Sequence, residues 1–264
     1  MKISVIIAHD RDRSPEVLNR AILSINHELL AMNLYGDFEL FVEIEGSVSE
    51  ARNKAAAEAQ GEFLVFLDDD IKLRSNFFHE ILAPFSDPAV GIVGGVNLNF
   101  DEIPFREKIS SVLFASPFIM AKSAARYTPR GSVRETDESE IIACVMAVRK
   151  TAFVETGGFP LDVIPCEENV LVNNIQAAGW KVIYSPFAVA YHKRPVFPGE
   201  YVRKIFFYGK GRGIMLRRDK SKGSPKMFWK LSWRWPIYVA GFFIHYGAYV
   251  SGLIYGYFKG KKKS

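Results

Sequence analysis

The stretch Gly61-Glu62-Phe63-Leu64-Val65-Phe66-Leu67-Asp68-Asp69-Asp70 decides the fold class. Its apolar centre, introduced by a glycine and closed by acids, reads as a strand buried on both faces. Three adjacent carboxylates at the end of such a strand have no packing use. Like charges side by side cost free energy unless a cation or hydrogen-bond donors compensate. Hard carboxylate oxygens suit Mg²⁺ or Mn²⁺, which take one or two carboxylates and fill their remaining positions with phosphate and water. The alternative is a charged turn after a strand, and the surrounding segments decide between the two.

Outward from this run, strand and helix patterns alternate. Residues 2–8 and 38–43 read as strands, and 15–30 has helical spacing with Val17, Ala21, Ile22, Ile25 and Leu29 on one side. Ser14-Pro15 supplies an N-cap and first-turn proline for that helix. A second helix is expected over 48–59, with Ser49 near its start, a third over 77–85, and a strand over 90–98. This alternation predicts an α/β domain, a mostly parallel twisted sheet flanked by helices. Ligands of such sheets bind beyond the carboxyl ends of the strands, where the aspartates lie.

The pattern breaks over 101–140, where Pro104, Pro117, Pro129 and Gly131 interrupt it and Arg126, Arg130 and Arg134 recur at fourth positions. A long irregular stretch in a compact domain is read as functional, here as a segment covering substrate. A strand over 141–149, a short helix over 151–156 stopped by Gly157-Gly158, and a helix over 168–178 ended by Gly179 follow. Short strands at 181–184 and 188–191, around Pro186, lead to His192. Glu167-Glu168 stand before a helix whose first turn favours negative charge, an effect of about 0.3–1 kcal/mol each. That is the purely structural reading of the pair.

The chain has 264 residues and 29.8 kDa, room for one large α/β domain or a domain with an appendage. Two cysteines, Cys144 and Cys166, and the absence of a leader before the first strand point to a reducing, cytosolic setting with no disulfide. The net charge of +5 hides an asymmetry. Residues 1–192 carry 17 Lys+Arg against 27 Asp+Glu, a net of −10, whereas 193–264 carry 17 against 2, a net of +15. A basic tail suits nucleic acid or anionic lipid.

Residues 237–258 hold no Asp, Glu, Lys or Arg and are crowded by aromatics, which favours lipid. Ala240, Ala248, Gly252 and Gly256 form a ridge of small residues suited to helix contact. Basic clusters flank both ends, and His245 sits near the middle. Spanning the membrane and lying in its interface both remain open. Upstream, 201–218 is basic and aromatic, and Lys210, Arg212, Arg217 and Arg218 are candidates to meet lipid headgroups or a lipid-linked pyrophosphate.

Several motifs recur in order: Ile3 to Ala8, Ala51-Arg52-Asn53-Lys54-Ala55, Ala59-Gln60-Gly61-Glu62, the aspartates, Gly157-Gly158-Phe159, Glu167-Glu168-Asn169-Val170-Leu171, Gly179-Trp180, Pro186 and His192. Together they resemble the inverting nucleotide-sugar glycosyltransferase family 2 with a GT-A fold, the relatives of cellulose synthase and spore-coat polysaccharide synthases. The resemblance runs from about Ile3 to about Arg218. It implies a catalytic domain over 1–220, with a nucleotide-sugar half over 1–100 and an acceptor half over 101–220, and a membrane-associated C-terminal helical segment over 221–264.

The resemblance also implies roles. Ala8 and His9 would lie near the base, Glu45 would contact it, and Arg52 would meet the nucleotide. Asp68 and Asp70 match the outer members of the Asp-x-Asp motif, with Asp69 between them on the donor side. Asp68 would lie near the ribose, and Asp70, with Asp68 and His192, would hold Mn²⁺ or Mg²⁺. Glu168 would be the base and Glu167 its neighbour. Arg126, Trp180, Lys210 and Arg212 would lie on the acceptor or membrane side. Three departures are visible: Glu168 replaces the usual Asp, Asn174 stands where Arg is frequent, and the acidic turn reads Glu45-Gly46-Ser47.

The implied activity is metal-dependent, inverting sugar transfer from a nucleoside diphosphate to a hydroxyl of a glycan or lipid-linked acceptor. It would serve cell-surface polysaccharide, glycolipid or lipid-linked oligosaccharide synthesis at the cytoplasmic face of a membrane, without nucleic acid. The competing reading is a non-catalytic nucleotide-sugar-binding or membrane scaffold protein. A nucleotidyltransferase would use a similar metal site.

Overall fold

The computed structural model describes residues 2–32, 37–218 and 235–259. In chain order the elements are β1 (Ile3–Ala8), α1 (Pro15–Ala31), β2 (Phe38–Glu43), α2 (Val48–Glu58), β3 (Phe63–Asp68), β4 (Ile71–Leu73) and α3 (Phe77–Leu82). Then come β5 (Val90–Leu98), α4 (Phe105–Ala115), α5 (Pro117–Met120), β6 (Arg134–Glu135), β7 (Val145–Arg149), α6 (Lys150–Glu155), α7 (Glu167–Ala177), β8 (Lys181–His192), α8 (Gly199–Arg218) and α9 (Trp235–Lys259). They divide into two compact units. The first holds 1–100, 125–161 and 168–193, and the second 101–124, 162–167 and 194–264.

The first unit is the α/β sheet, ordered β2-β1-β3-β7-β5-β8-β4, with β6 paired to β8. β1 lies between β2 and β3 and runs parallel to both, with Ala8 opposite Glu43 and Asp68. Its near-continuous apolar run is explained by burial on both faces. Ile3, Val5 and Ile7 pack with Ala21, Ile25 and Leu29 of α1, and Ile6 with Ala55, Ala56 and Ala59 at α2. The sheet is mixed, because β7 runs against both β3 and β5 while β5 and β8 are parallel.

Two local devices hold the strand ends in place. Ser47 caps α2 in a reciprocal capping box with Glu50. Gly61 enters β3 with its N–H donating to Ser4 Oγ (2.8 Å) and Glu39 Oε1 (3.0 Å), and a Cβ there would collide with the Ser4 backbone.

Two expectations need correction. The stretch 101–140 is not irregular throughout: it carries α4, α5 and a 3₁₀ turn at Ala121–Arg126. Pro104 initiates α4 and Pro117 lies in the first turn of α5, positions where the missing N–H costs nothing. The two short strands around Pro186 are one strand, β8, with a break in register between its pairings to Gly94 and Val96. The proline sits where the ladder is already interrupted. Separately, among the described residues no helix is long and apolar enough to cross a membrane.

In the second unit, α8 and α9 pack through glycines on both helices. A Cβ at Gly209 or Gly213 would overlap the carbonyls of Tyr249 or Leu253, and one at Gly252 or Gly256 those of Phe206 or Lys210. Gly252 and Gly256 of the small-residue ridge therefore serve contact with α8. The aromatic and basic residues flanking 237–258, Lys226, Phe228, Trp229, Lys230, Trp233 and Arg234 before it and Lys261 to Lys263 after it, lie outside the described residues.

Candidate active site

β3 ends at Asp68, and the turn to β4 carries Asp69 and Asp70. β4 pairs antiparallel with the end of β8, Ile71 opposite His192, which brings the histidine to the aspartates. His192 Nε2 lies 3.0 Å from Asp70 Oδ1 and 3.4 Å from Asp68 Oδ2. Ligand atoms of Asp68, Asp70 and His192 all lie within 4.8 Å of one another.

The three carboxylates are not equivalent. Asp69 is buried and fully engaged: Oδ2 bonds His9 Nδ1 (2.7 Å) and accepts from the Asp10 N–H (3.2 Å), and Oδ1 accepts from Arg13 (2.6 Å). It fastens the segment after β1 to the cluster. Asp68 accepts from Arg52 NH2 at 3.2 Å, and the Arg52 guanidinium rests over the Phe159 ring. Asn53 and Phe159 exchange two hydrogen bonds, 2.8 and 2.9 Å, so the Arg52-Asn53 and Gly158-Phe159 motifs are two halves of one clamp. Gly158 is needed there: its φ is +70°, and a Cβ would meet Asn53.

The donor set fits a divalent cation. Two carboxylates and one imidazole are ordinary ligands for Mn²⁺, with phosphate oxygens to complete the shell. Asp70 Oδ1 is a buried carboxylate oxygen without a well-directed hydrogen bond. His192 Nδ1 lies 2.6 Å from the Lys193 carbonyl and donates to it, which leaves Nε2 facing the aspartates. Burial disfavours the His192 charge, but Asp68 and Asp70 outweigh it and push its pKa up to about 9. Burial raises Asp70, and contact with His192, aided by Arg13, lowers it below the ordinary carboxylate range.

Glu167 and Glu168 open α7, and both are buried. The end of α7 lies at the start of β5, where Ile175 and Trp180 cover Gly91. A helix leading into parallel β8 runs back along the sheet, so its first turn lies toward the carboxyl edge that holds the aspartates. Glu168 pairs with Arg126 NH1 at 3.6 Å, and Arg126 NH2 also donates to the Glu138 carbonyl at 2.5 Å.

Arg126 is thus buried against the carboxylate. Arg134 likewise points inward, bonding Glu140 at 2.7 Å and stacking 4.4 Å from the Tyr184 centroid. Trp180 stands at the opposite end of β8 from His192, donating to Glu155 at 2.9 Å. Glu45 is exposed and pairs with Arg11 at 3.5 Å. Lys210 and Arg212 belong to α8 of the second unit, where Lys210 lies over the Phe207 ring. Sequence reasoning missed Arg13. Its signal was the dense charge of Asp10-Arg11-Asp12-Arg13 directly after the first strand.

The family model for glycosyl transferase family 2 matches residues 3–157, more than half of the chain.

The chain belongs to glycosyltransferase family 2.

Among curated proteins, this family 2 chain is 25% identical over 177 residues to a pre-mycofactocin glycosyltransferase of Mycobacterium tuberculosis, covering 66% of this chain and 36% of the relative. It is 29% identical over 161 residues to the O-antigen chain rhamnosyltransferase RfbN of Salmonella typhimurium, covering 60% and 50%. The chain thus spans half or less of these relatives' lengths. In fold it is similar to the mannosyltransferase PcManGT of Pyrobaculum calidifontis, solved with GDP-Man and Mn²⁺ (TM-score 0.57, 16% identity, 96% of this chain and 73% of that one). It is also similar to GalNAc-T7, solved with UDP, GalNAc and Mn²⁺ (TM-score 0.51, 14% identity, 97% and 55%). The α/β fold is therefore GT-A-like.

Proposed function

We infer that this chain transfers a sugar from a nucleoside diphosphate to an acceptor hydroxyl, with inversion, at the edge formed by Asp68, Asp70 and His192. The observation that carries the reading is that cluster, set at the carboxyl end of β3 in a chain of this family.

Asp68, Asp70 and His192 are the residues to hold Mn²⁺ or Mg²⁺. When bound, such an ion stabilises negative charge on a departing diphosphate. Ala8 and His9, at the end of β1, line the approach to the base, and Arg52 adds positive charge beside Asp68. Glu168 takes the acceptor proton, and its pairing with Arg126 supports a fixed orientation for it. Inversion follows from attack on the face opposite the departing diphosphate. The acceptor is a glycan or lipid-linked hydroxyl. The basic segment 193–264 and the exposed Phe243, Val250, Ile254 and Phe258 of α9 support a place at an anionic membrane surface.

The test is Glu168→Gln, assayed with a panel of nucleotide sugars and Mn²⁺. Transfer should fall by at least about 100-fold, the scale of a lost general base, while nucleotide-induced thermal stabilisation stays. Full turnover in this variant would reject Glu168 as the base.

A further inference from the structure

We propose that Arg13 makes cation binding at Asp70 conditional on a nucleoside diphosphate, opposing the bare ion and favouring the ion that arrives with phosphate. The inference rests on the reading of Asp68, Asp70 and His192 as metal ligands.

Arg13 follows β1 in the chain, and one of its nitrogens, NH1, reaches two carboxylates, Asp70 Oδ2 at 2.5 Å and Asp69 Oδ1 at 2.6 Å. The two oxygens of Asp70 therefore face different cationic groups, Arg13 on one side and His192 on the other. Arg52 meets Asp68. The chain thus supplies positive charge to each member of the aspartate run by itself. That settles the cost of three adjacent acids without a metal, and it leaves little net negative charge to attract one.

A divalent ion placed on Asp70 stands within a few ångströms of the Arg13 guanidinium, and like charges at that range, partly shielded from water, oppose each other. A diphosphate changes the balance. Its oxygens complete the ion's shell, and its negative charge offsets both the ion and the guanidinium, a planar donor suited to phosphate. Arg13 is part-exposed at 39%, so it is open to an incoming ligand from one side while its tip holds the cluster. The same side chain therefore weakens binding of ion alone and strengthens binding of ion with nucleotide. By linkage, nucleotide and ion must raise each other's affinity by the same factor.

The experiment is calorimetric titration of the whole chain with MnCl₂, alone and with saturating UDP, GDP, dTDP or CDP. In the wild type at least one diphosphate should raise Mn²⁺ affinity about tenfold or more, the scale of a typical coupling between sites. Arg13→Gln should bind Mn²⁺ alone roughly tenfold tighter and lose most of the nucleotide effect, as expected on removing one nearby like charge. Arg13→Lys keeps the charge but not the planar donor, so it should keep the weak binding of Mn²⁺ alone and lose part of the nucleotide effect.

Equal or weaker Mn²⁺ binding by Arg13→Gln overturns the proposal, and so does the absence of coupling in the wild type with every diphosphate. The latter needs no variant, so a misfolded one does not rescue the idea. Asp70→Asn separates the two levels. If it leaves Mn²⁺ binding intact, the metal-ligand reading itself fails. If it abolishes binding while Arg13→Gln fails to tighten it, only the role of Arg13 falls.

Discussion

Arg126 shows how much of the site turns on single side chains. It is buried with only part of its guanidinium engaged by backbone, and its charge is turned to Glu168. With Glu168 as the proposed base, a fixed carboxylate favours an in-line meeting with an acceptor hydroxyl. Misplacing it by about 1 Å is enough to cost on the order of 100-fold in rate. Arg126→Met should therefore lower turnover by about 10–100-fold at saturating donor, on that same scale, with donor KM little changed. Arg126→Lys should recover part of the loss. A raised acceptor KM with unchanged kcat would instead place Arg126 on the acceptor. Asp68, Asp69 and Asp70 stood out in the sequence as a candidate site. Their division of labour was not, since only the geometry shows Asp69 spent on His9, Asp10 and Arg13.

At the scale of elements, the pair α8 and α9 is set by glycines that admit backbone against backbone. Alanine normally gains up to about 1 kcal/mol over glycine inside a helix. At Gly247 nothing lies within 4 Å of an added Cβ, so Gly247→Ala should raise the Tm. At Gly252 the methyl would overlap the Phe206 carbonyl, and Gly252→Ala should lower stability by roughly 1–3 kcal/mol despite the better propensity. Parallel thermal melts decide it, and equal shifts would contradict the packing.

The same pair buries His245, which contacts the Tyr201 hydroxyl at 2.9 Å and lies among the rings of Tyr201, Tyr246 and Tyr249. Burial pushes its pKa from 6.5 down to about 4. Between those values the unfolded chain binds more protons than the folded one. Stability is therefore present above pH 6.5 and is lost as pH falls towards 4, by about 3 kcal/mol at most. Melts from pH 7.5 to 4.5 should show this loss, and His245→Gln should shrink it. An unchanged slope in the variant would remove His245 as its source.

For the whole molecule, the decisive quantity is the charge split, −10 over 1–192 and +15 over 193–264. A surface of anionic lipid attracts the second segment and repels the first, so binding is expected through the C-terminal part. Cosedimentation should recover the protein with phosphatidylglycerol vesicles at low salt. It should not do so with phosphatidylcholine vesicles, and recovery should fall steeply by ~0.5 M salt as charges are screened. Salt-independent binding to both would point to apolar insertion of α9 instead.

What the sequence determined by itself is what local periodicity and local chemistry control. The limits of β1, β2 and β5, the helices after β1 and β2, and the acids at the end of β3 all follow from residues close in the chain. The motif series also carried the family. What only the tertiary structure decided is which distant side chains meet. The reversed direction of β7, the single strand through Pro186 and the pairing of Ile71 with His192 are matters of register between segments far apart. The arginines depended on it most. Arg13, Arg126 and Arg134 look alike in sequence as charged loop residues, yet each is turned onto a specific carboxylate. A long flexible side chain takes its partner from the fold around it, because burial makes an unpaired charge too costly to keep.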